Sequence, residues 1–178
     1  FTEDKDRAAE RLNATVTGRF ITPFDLDHDN FKKLALFQYM IGNKDWYVTS
    51  RHNIIIMQPD DKSAKPFAVP YDFDFSGMIN AAYTKVNGSP SEPSPFRRQY
   101  KGLCYTMEEL RDVFGFFRNL RPEFRNLIKE SDLIPKSDKN EMLTYIDYFY
   151  SLSGSRSLIR EEIINKCETR ALYNITGQ

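Results

Sequence analysis

The sequence predicts a mostly α-helical domain, residues 1–178, with one small β-hairpin in its first half. Three observations carry this. Apolar residues recur at helical spacing along several stretches. One pair of short apolar runs, "NIIIM" and "FAVPY", is split by the turn-forming "QPDDKSAKP". The chain is 40% hydrophobic, with 14 Phe and 10 Tyr, enough to fill one packed core at this length and too little for two comfortable ones.

In chain order, Thr2 to Asn13 reads as a helix, with Thr2 as its N-cap and acids crowded in its first turn. Thr15 to Leu26, with Gly18 and Pro23, reads as a connector. From Asp29 to Ile41, Phe31, Leu34, Ala35 and Tyr39 share one broad apolar face, and Gly42 with Asn43 supplies the stop. The hairpin follows. Pro66 and Pro70 make its second strand short and not central. Val86 to Arg98, with three prolines and three serines, reads as a long surface loop. "TMEELRDVFGFFRNL" opens on a Thr-x-x-Glu capping box, Thr106 and Glu109. "RPEFRNLIKES", "KSDKNEMLTYIDYFYSL" and "SRSLIREEIINKCETRAL" complete the helices, and the aromatic stripe from Tyr145 to Tyr150 is expected in the core.

Charge narrows the function classes. Twenty-five basic residues balance twenty-five acidic ones, which removes the general electrostatic case for a nucleic-acid partner. No run approaches the roughly 18 apolar residues a membrane helix needs. The chain begins at Phe1 rather than Met, so a processed product or a fragment is expected. Cys104 and Cys167 are either two buried thiols or one bridge closing a long loop. Asn13-Ala-Thr and Asn174-Ile-Thr match a glycosylation sequon that has meaning only in a secretory eukaryotic setting.

The chemistry concentrates around the hairpin. "IGNKDWYVTSRHNIIIM" places Asn43, Asp45, His52 and Asn53 before its first strand, and "VPYDFDFSG" places Asp72 and Asp74 after its second. A hairpin brings its outer ends together, so these groups converge on one face. Asp and Asn oxygens are hard ligands suited to Mg²⁺ or Mn²⁺. Phosphoryl transfer needs such a set: one Asp for the hydroxyl proton, and an Asn and a second Asp for metal on the nucleotide phosphates.

These two stretches resemble the spore-coat kinase (CotH-like) family and, more widely, atypical kinases of the HipA-like and lipid-kinase-like groups. The resemblance covers roughly Phe31 to Gly77. It implies the C-terminal lobe of a kinase-like fold, with Asp45 as the catalytic Asp, Asn53 and Asp72 as nucleotide and metal ligands, and Asp74 assisting or holding the loop. The implied cofactors are ATP with Mg²⁺ or Mn²⁺, and the implied partner is a protein or small-molecule hydroxyl. The "GN-DW...HN...PYDFD-SG" signature is also similar to an uncharacterised bacterial group for which secretion is the expectation, and this would place Cys104 and Cys167 in an oxidising compartment.

Two departures stand beside the resemblance. In the kinase loop the Asn follows the Asp by five positions; here Asp45 to Asn53 is eight, so the loop must bulge if Asp45 is the catalytic residue. A glycine-rich phosphate loop and a Lys–Glu pair are not identifiable, and an N-terminal lobe supplying them is expected upstream of Phe1. The alternative is therefore a non-catalytic kinase-like module that binds a protein or a cell-surface glycan.

Other readings compete residue by residue. Asp72 and Asp74 also suit a turn, Asp45 a cap or ion pair, and Asn43 a helix stop. His52 is expected to be structural, and Trp46, the only Trp, a core anchor. "GNKD" lacks the phosphate loop that a GTPase would need. Arg97, Arg98 and Lys101 either meet an anionic substrate or form a solvated basic segment.

Overall fold

A computed structural model describes residues 3–79 and 98–169. It begins with helix α1, Lys5–Arg11, strand β1, Ala14–Val16, and helix α2, His28–Ile41. Strands β2, Ile54–Pro59, and β3, Phe67–Pro70, come next. Helices α3, Met107–Asn119, α4, Arg121–Glu130, α5, Lys136–Leu152, and α6, Arg156–Glu162, make up the second half. The described residues are thus mainly helical, with a three-stranded antiparallel sheet in the order β1–β2–β3.

The sheet differs from the expected two-stranded hairpin. Thr15 and Val16, from the expected connector, together with Ala14 pair with β2, Ala14 opposite Pro59 and Val16 opposite Met57. The cause lies in how β2 is covered. Its alternate side chains Ile54 and Ile56 enter the main core. Met57, with Ile55 beside it, joins a second small core built from Ala8, Ala9 and Ala14. A strand covered on both faces reads as a continuous apolar run, and α1 with β1 is the cover for the second face. The short β3 is an edge strand, as its flanking prolines require.

Helix boundaries shift by local capping. Asp4, rather than Thr2, caps α1 by accepting from the N–H groups of Asp6 and Arg7. Asp27 caps α2, which starts at His28, one residue ahead of the expected start. At the other end Gly42 adopts φ 70°, the left-handed conformation in which a glycine ends a helix cheaply. Thr106 and Glu109 form the full reciprocal box at the start of α3. The last helix stops at Glu162 and passes through a 3₁₀ turn, Ile164–Lys166, because Cys167 is bonded to Cys104. That bond settles the pairing of the cysteines, and Cys104 is exposed rather than buried.

α2 is the axis of the main core. Phe31, Leu34, Ala35 and Tyr39 are all buried. Phe149 of α5 meets Phe114 at 5.2 Å and Phe117 at 5.7 Å, between ring centroids. Each fully buried Phe of this kind contributes roughly 2–3 kcal/mol through removal of apolar area from water. The expected stripe on α5 holds only in part: Ile146, Phe149 and Tyr150 are buried, while Tyr148 is exposed. No helix among the described residues is long and apolar enough to cross a membrane. Most of the expected surface loop, 86–97, and Arg97 with it, lies outside the described residues. Arg98, its last residue, is packed in an aromatic slot.

Candidate functional site

The polar loop starts where α2 ends. The Asn43 N–H closes the helix on the Gln38 carbonyl (2.9 Å), so Asn43 is the helix stop that its position suggests. Its side chain has a second use, since Oδ1 accepts the Asp45 N–H at 2.9 Å. Trp46 then turns into the core and lies 6.2 Å from Phe31, centroid to centroid. The chain makes a small closed excursion, with Tyr47 and His52 exchanging two backbone hydrogen bonds of 3.0 Å. This excursion takes up most of the interval between Asp45 and Asn53.

The two residues therefore touch although they are eight positions apart. Asn53 Nδ2 donates to the Asp45 carbonyl at 2.8 Å and to Oδ2 of its carboxylate at 3.0 Å. On the other carboxylate oxygen, His52 Nε2 lies 2.8 Å from Oδ1. A carboxylate opposite Nε2 selects the ring tautomer with its proton there. His52 is hydrogen-bonded within the loop but half exposed, not packed inside it. With Nδ2 committed to Asp45, Asn53 Oδ1 is turned away from that residue.

The acidic turn meets this loop across the end of the hairpin. Ile54 pairs with Pro70, and the Tyr71 N–H donates to the Asn53 carbonyl at 3.0 Å. Asp72 is thus two residues beyond the last strand pair and one beyond the residue bonded to Asn53. Phe73 pins the turn by packing edge-on against Phe37 of α2, 5.8 Å between centroids. The Asp74 N–H donates to Asp72 Oδ1 at 3.3 Å, and both acids are exposed. The chain then returns to α2, where Gly77 and Met78 donate to the carbonyls of Gly42 and Ile41.

Backbone conformation marks the same residues. Among the described residues, four that are not glycine have positive φ, and three of them are Arg51, Asn53 and Asp72. The left-handed region costs about 1 kcal/mol for a side chain with a Cβ, least for Asn and Asp. Such residues gather at sites where the surrounding structure over-determines them. Beneath the loop, the Gln38 amide, Asn43 Nδ2, Trp46 Nε1 and Ser76 Oγ are buried without a hydrogen-bond partner among the described residues.

The two cations of the basic segment that lie among the described residues, Arg98 and Lys101, end on backbone carbonyls and aromatic rings. Arg98 lies 3.8 Å from the centroid of the Tyr145 ring and donates to the carbonyls of Met40 (3.2 Å) and Tyr145. Burial holds the Tyr39 and Tyr145 hydroxyls above the ordinary tyrosine value, so both stay neutral beside this guanidinium. Lys101 is buried too, with Nζ 2.6 Å from the Lys44 carbonyl and 3.7 Å from the centroid of the Tyr47 ring. The sequence marks Lys101 only as part of a basic segment, and its contact with the Asp45 loop was not foreseen. Its partner lies 57 residues away, and no local pattern pairs the two.

The structure therefore brings Asp45, His52 and Asn53 into contact and sets the backbone of Asp72 next to that of Asn53. It does not gather Asp72 and Asp74 with other acids: among the described residues no three His, Cys, Asp or Glu side chains are placed to hold a metal ion by themselves. The available donors are hard oxygens on two adjoining turns. That set fits a Mg²⁺ or Mn²⁺ ion taking one or two protein oxygens and completing its shell with phosphate and water, and does not fit an all-protein cage.

Compared with family models, with curated proteins and with solved structures, the chain matches none.

Proposed function

We propose that this face is the phosphate end of a nucleotide site, and that the protein transfers a phosphoryl group from ATP to a hydroxyl of a protein or small molecule. The observation that carries the reading is the contact of Asn53 with both the carbonyl and the carboxylate of Asp45, closed over an eight-residue interval. It answers the main objection from spacing. In this reading Asp45 orients the acceptor hydroxyl and takes its proton, while the oxygen bonds to the γ-phosphorus and the bond to the β-phosphate oxygen breaks. Asn53 Oδ1 and Asp72 would hold Mg²⁺ or Mn²⁺, which supplies charge neutralisation on the phosphates. Asp74 shapes the turn through its N–H to Asp72. The disulfide suits a secreted or periplasmic setting.

One observation favours a second reading. Both carboxylate oxygens of Asp45 already have a partner, His52 on one and Asn53 on the other. A non-catalytic kinase-like module that binds a partner would keep this arrangement as architecture.

Thermal unfolding of the full natural polypeptide with ATP and Mn²⁺ or Mg²⁺ separates the two. Nucleotide at 100 times its dissociation constant stabilises by about 2.7 kcal/mol, a rise of about 5–10 °C for a chain of this size. The phosphotransferase reading expects that rise in the native protein and its loss in Asp72→Ala. It further expects Asp45→Asn to keep binding while ATP turnover falls at least about 100-fold, the usual scale for a lost general base. No rise with any nucleotide and metal overturns it and leaves the partner-binding module.

A further inference from the structure

One buried lysine binds the carbonyl before Asp45 and the Tyr47 ring after it. Lys101 is 8% exposed, and its ammonium binds the Lys44 carbonyl while resting on the Tyr47 ring. Those two residues bracket Asp45 and Trp46. Among the described residues no carboxylate pairs with Lys101. A buried ammonium satisfied only by a carbonyl and an aromatic face is costly to desolvate. Methionine would fill similar space without that cost, so packing alone does not account for a lysine here.

The segment that carries Lys101 is fastened from behind. Gly102 presses against α2 so closely that a Cβ there would stand 2.7 Å from Ala35 Cβ. The Glu168 N–H donates to the Gly102 carbonyl at 2.9 Å, and Leu103 bridges Glu168. Cys104, three residues beyond Lys101, is bonded to Cys167 across 63 positions of chain. A covalent tie thus ends the same short segment whose lysine holds the Asp45 loop. Because Cys104 is exposed, a small dithiol can reach the bond.

We propose that Lys101 is a positioning residue for Asp45, and that the Cys104–Cys167 disulfide keeps it in place, so that the candidate site is fully formed only in the oxidised protein. The consequence for activity rests on the phosphotransferase reading; the geometry does not. Reduction takes two electrons from a dithiol such as dithiothreitol, which becomes its cyclic disulfide, and leaves one proton on each cysteine thiol. Residues 102–104 then lose their covalent tie to 167–168. Lys101 loses the fixed backbone that holds its ammonium under Lys44 and Tyr47, and the Asp45 loop loosens.

Trp46, the only Trp, is 3% exposed and adjacent to Asp45, so its fluorescence reports the loop without any nucleotide. Four samples decide: the oxidised native protein, the same protein in dithiothreitol, Lys101→Met and Lys101→Arg. The proposal expects blue emission and slow acrylamide quenching in the oxidised protein and in Lys101→Arg. It expects red-shifted emission and several-fold faster quenching in Lys101→Met and in the reduced protein, with far-ultraviolet circular dichroism unchanged. The dissociation constant for ATP with Mn²⁺ should rise at least about tenfold in Lys101→Met, the scale of a lost charge-assisted hydrogen bond, and recover in Lys101→Arg. Unchanged quenching in Lys101→Met overturns the positioning role, including when the reduced protein unfolds outright. Unchanged quenching on reduction, with Lys101→Met opened, overturns the redox part. If oxidised native protein binds no nucleotide, the phosphotransferase reading fails, and the Trp46 measurements still decide the rest.

Discussion

Replacing Asn53 separates the two things that residue does, making bonds and holding a left-handed backbone. Its amide donates twice to Asp45, once to a carbonyl and once to a carboxylate. A neutral bond contributes about 1 kcal/mol net and one to a charged group about 1.5–3 kcal/mol. The Asp45 side chain is 36% exposed, so water screens the second. We therefore take about 2 kcal/mol for the pair. The backbone at φ 53° adds about 1 kcal/mol for any residue with a Cβ that lacks the tolerance of Asn, and nothing for glycine. Asn53→Gly should thus lose about 2 kcal/mol, and Asn53→Ala about 3 kcal/mol. Urea unfolding measures both: the midpoints should fall in that order with an unchanged slope, which marks a change of stability and not of the denatured chain. If the two variants unfold together, the backbone at residue 53 carries no strain. If both match the native protein, the Asn53–Asp45 bonds do not hold the loop, and the geometric basis of the site fails.

Two further predictions test the surroundings. Gly42→Ala should destabilise by about 3 kcal/mol or more, because the position combines φ 70° with a Cβ that would stand 1.9 Å from the Tyr145 hydroxyl oxygen; thermal unfolding reads it, and a change within about 0.5 kcal/mol would mean Tyr145 swings aside at no cost. Glu109 is held below the ordinary glutamate range by the Thr106 backbone N–H first, then the Thr106 hydroxyl, with Lys32 and His28 nearby. A lowered carboxylate contributes stability that is present above the ordinary glutamate range and lost as pH falls through the folded-state value, so urea midpoints of Glu109→Gln should converge on those of the native protein at acid pH; a gap that stays constant across the titration would refute it.

What the sequence disclosed depended on the range of the interaction involved. α2 was legible because its buried face and its Gly42 stop are written within one stretch of chain. The capping box of Thr106 and Glu109 was legible because its two members are three residues apart. β1 was not, since three residues carry no periodicity and become a strand only by pairing with Met57–Pro59. The early end of α6 was not, since it follows from a bond to Cys104. In the site, the convergence of Asn53 and Asp72 at one end of the hairpin followed from topology alone. The excursion from Tyr47 to His52 that returns Asn53 to Asp45 was needed but had no local signature. The fate of Arg98 and Lys101 was misjudged because burial of a cation is decided by aromatic rings and carbonyls from distant segments.

Those cations share one habit, and it bears on the acids. Arg51 donates to the Arg19 carbonyl, Arg98 to those of Met40 and Tyr145, and Lys101 to that of Lys44. Among the described residues none of the three pairs with a carboxylate. A lysine or arginine placed on Asp45 or Asp72 would neutralise it and fill the space in front of its oxygens. Ending the cations on carbonyls and rings avoids this, and the ring faces compensate part of the desolvation. Among the described residues the Asp45 carboxylate meets the His52 ring and a neutral amide. Among the described residues neither Asp45 nor Asp72 forms an ion pair with a lysine or arginine, so these two carboxylates keep their charge toward the face between the turns. Such a face repels an anionic phosphate unless a divalent ion comes with it. Nucleotide without metal should accordingly give no thermal shift, whereas a plain basic phosphate pocket would bind it as well or better.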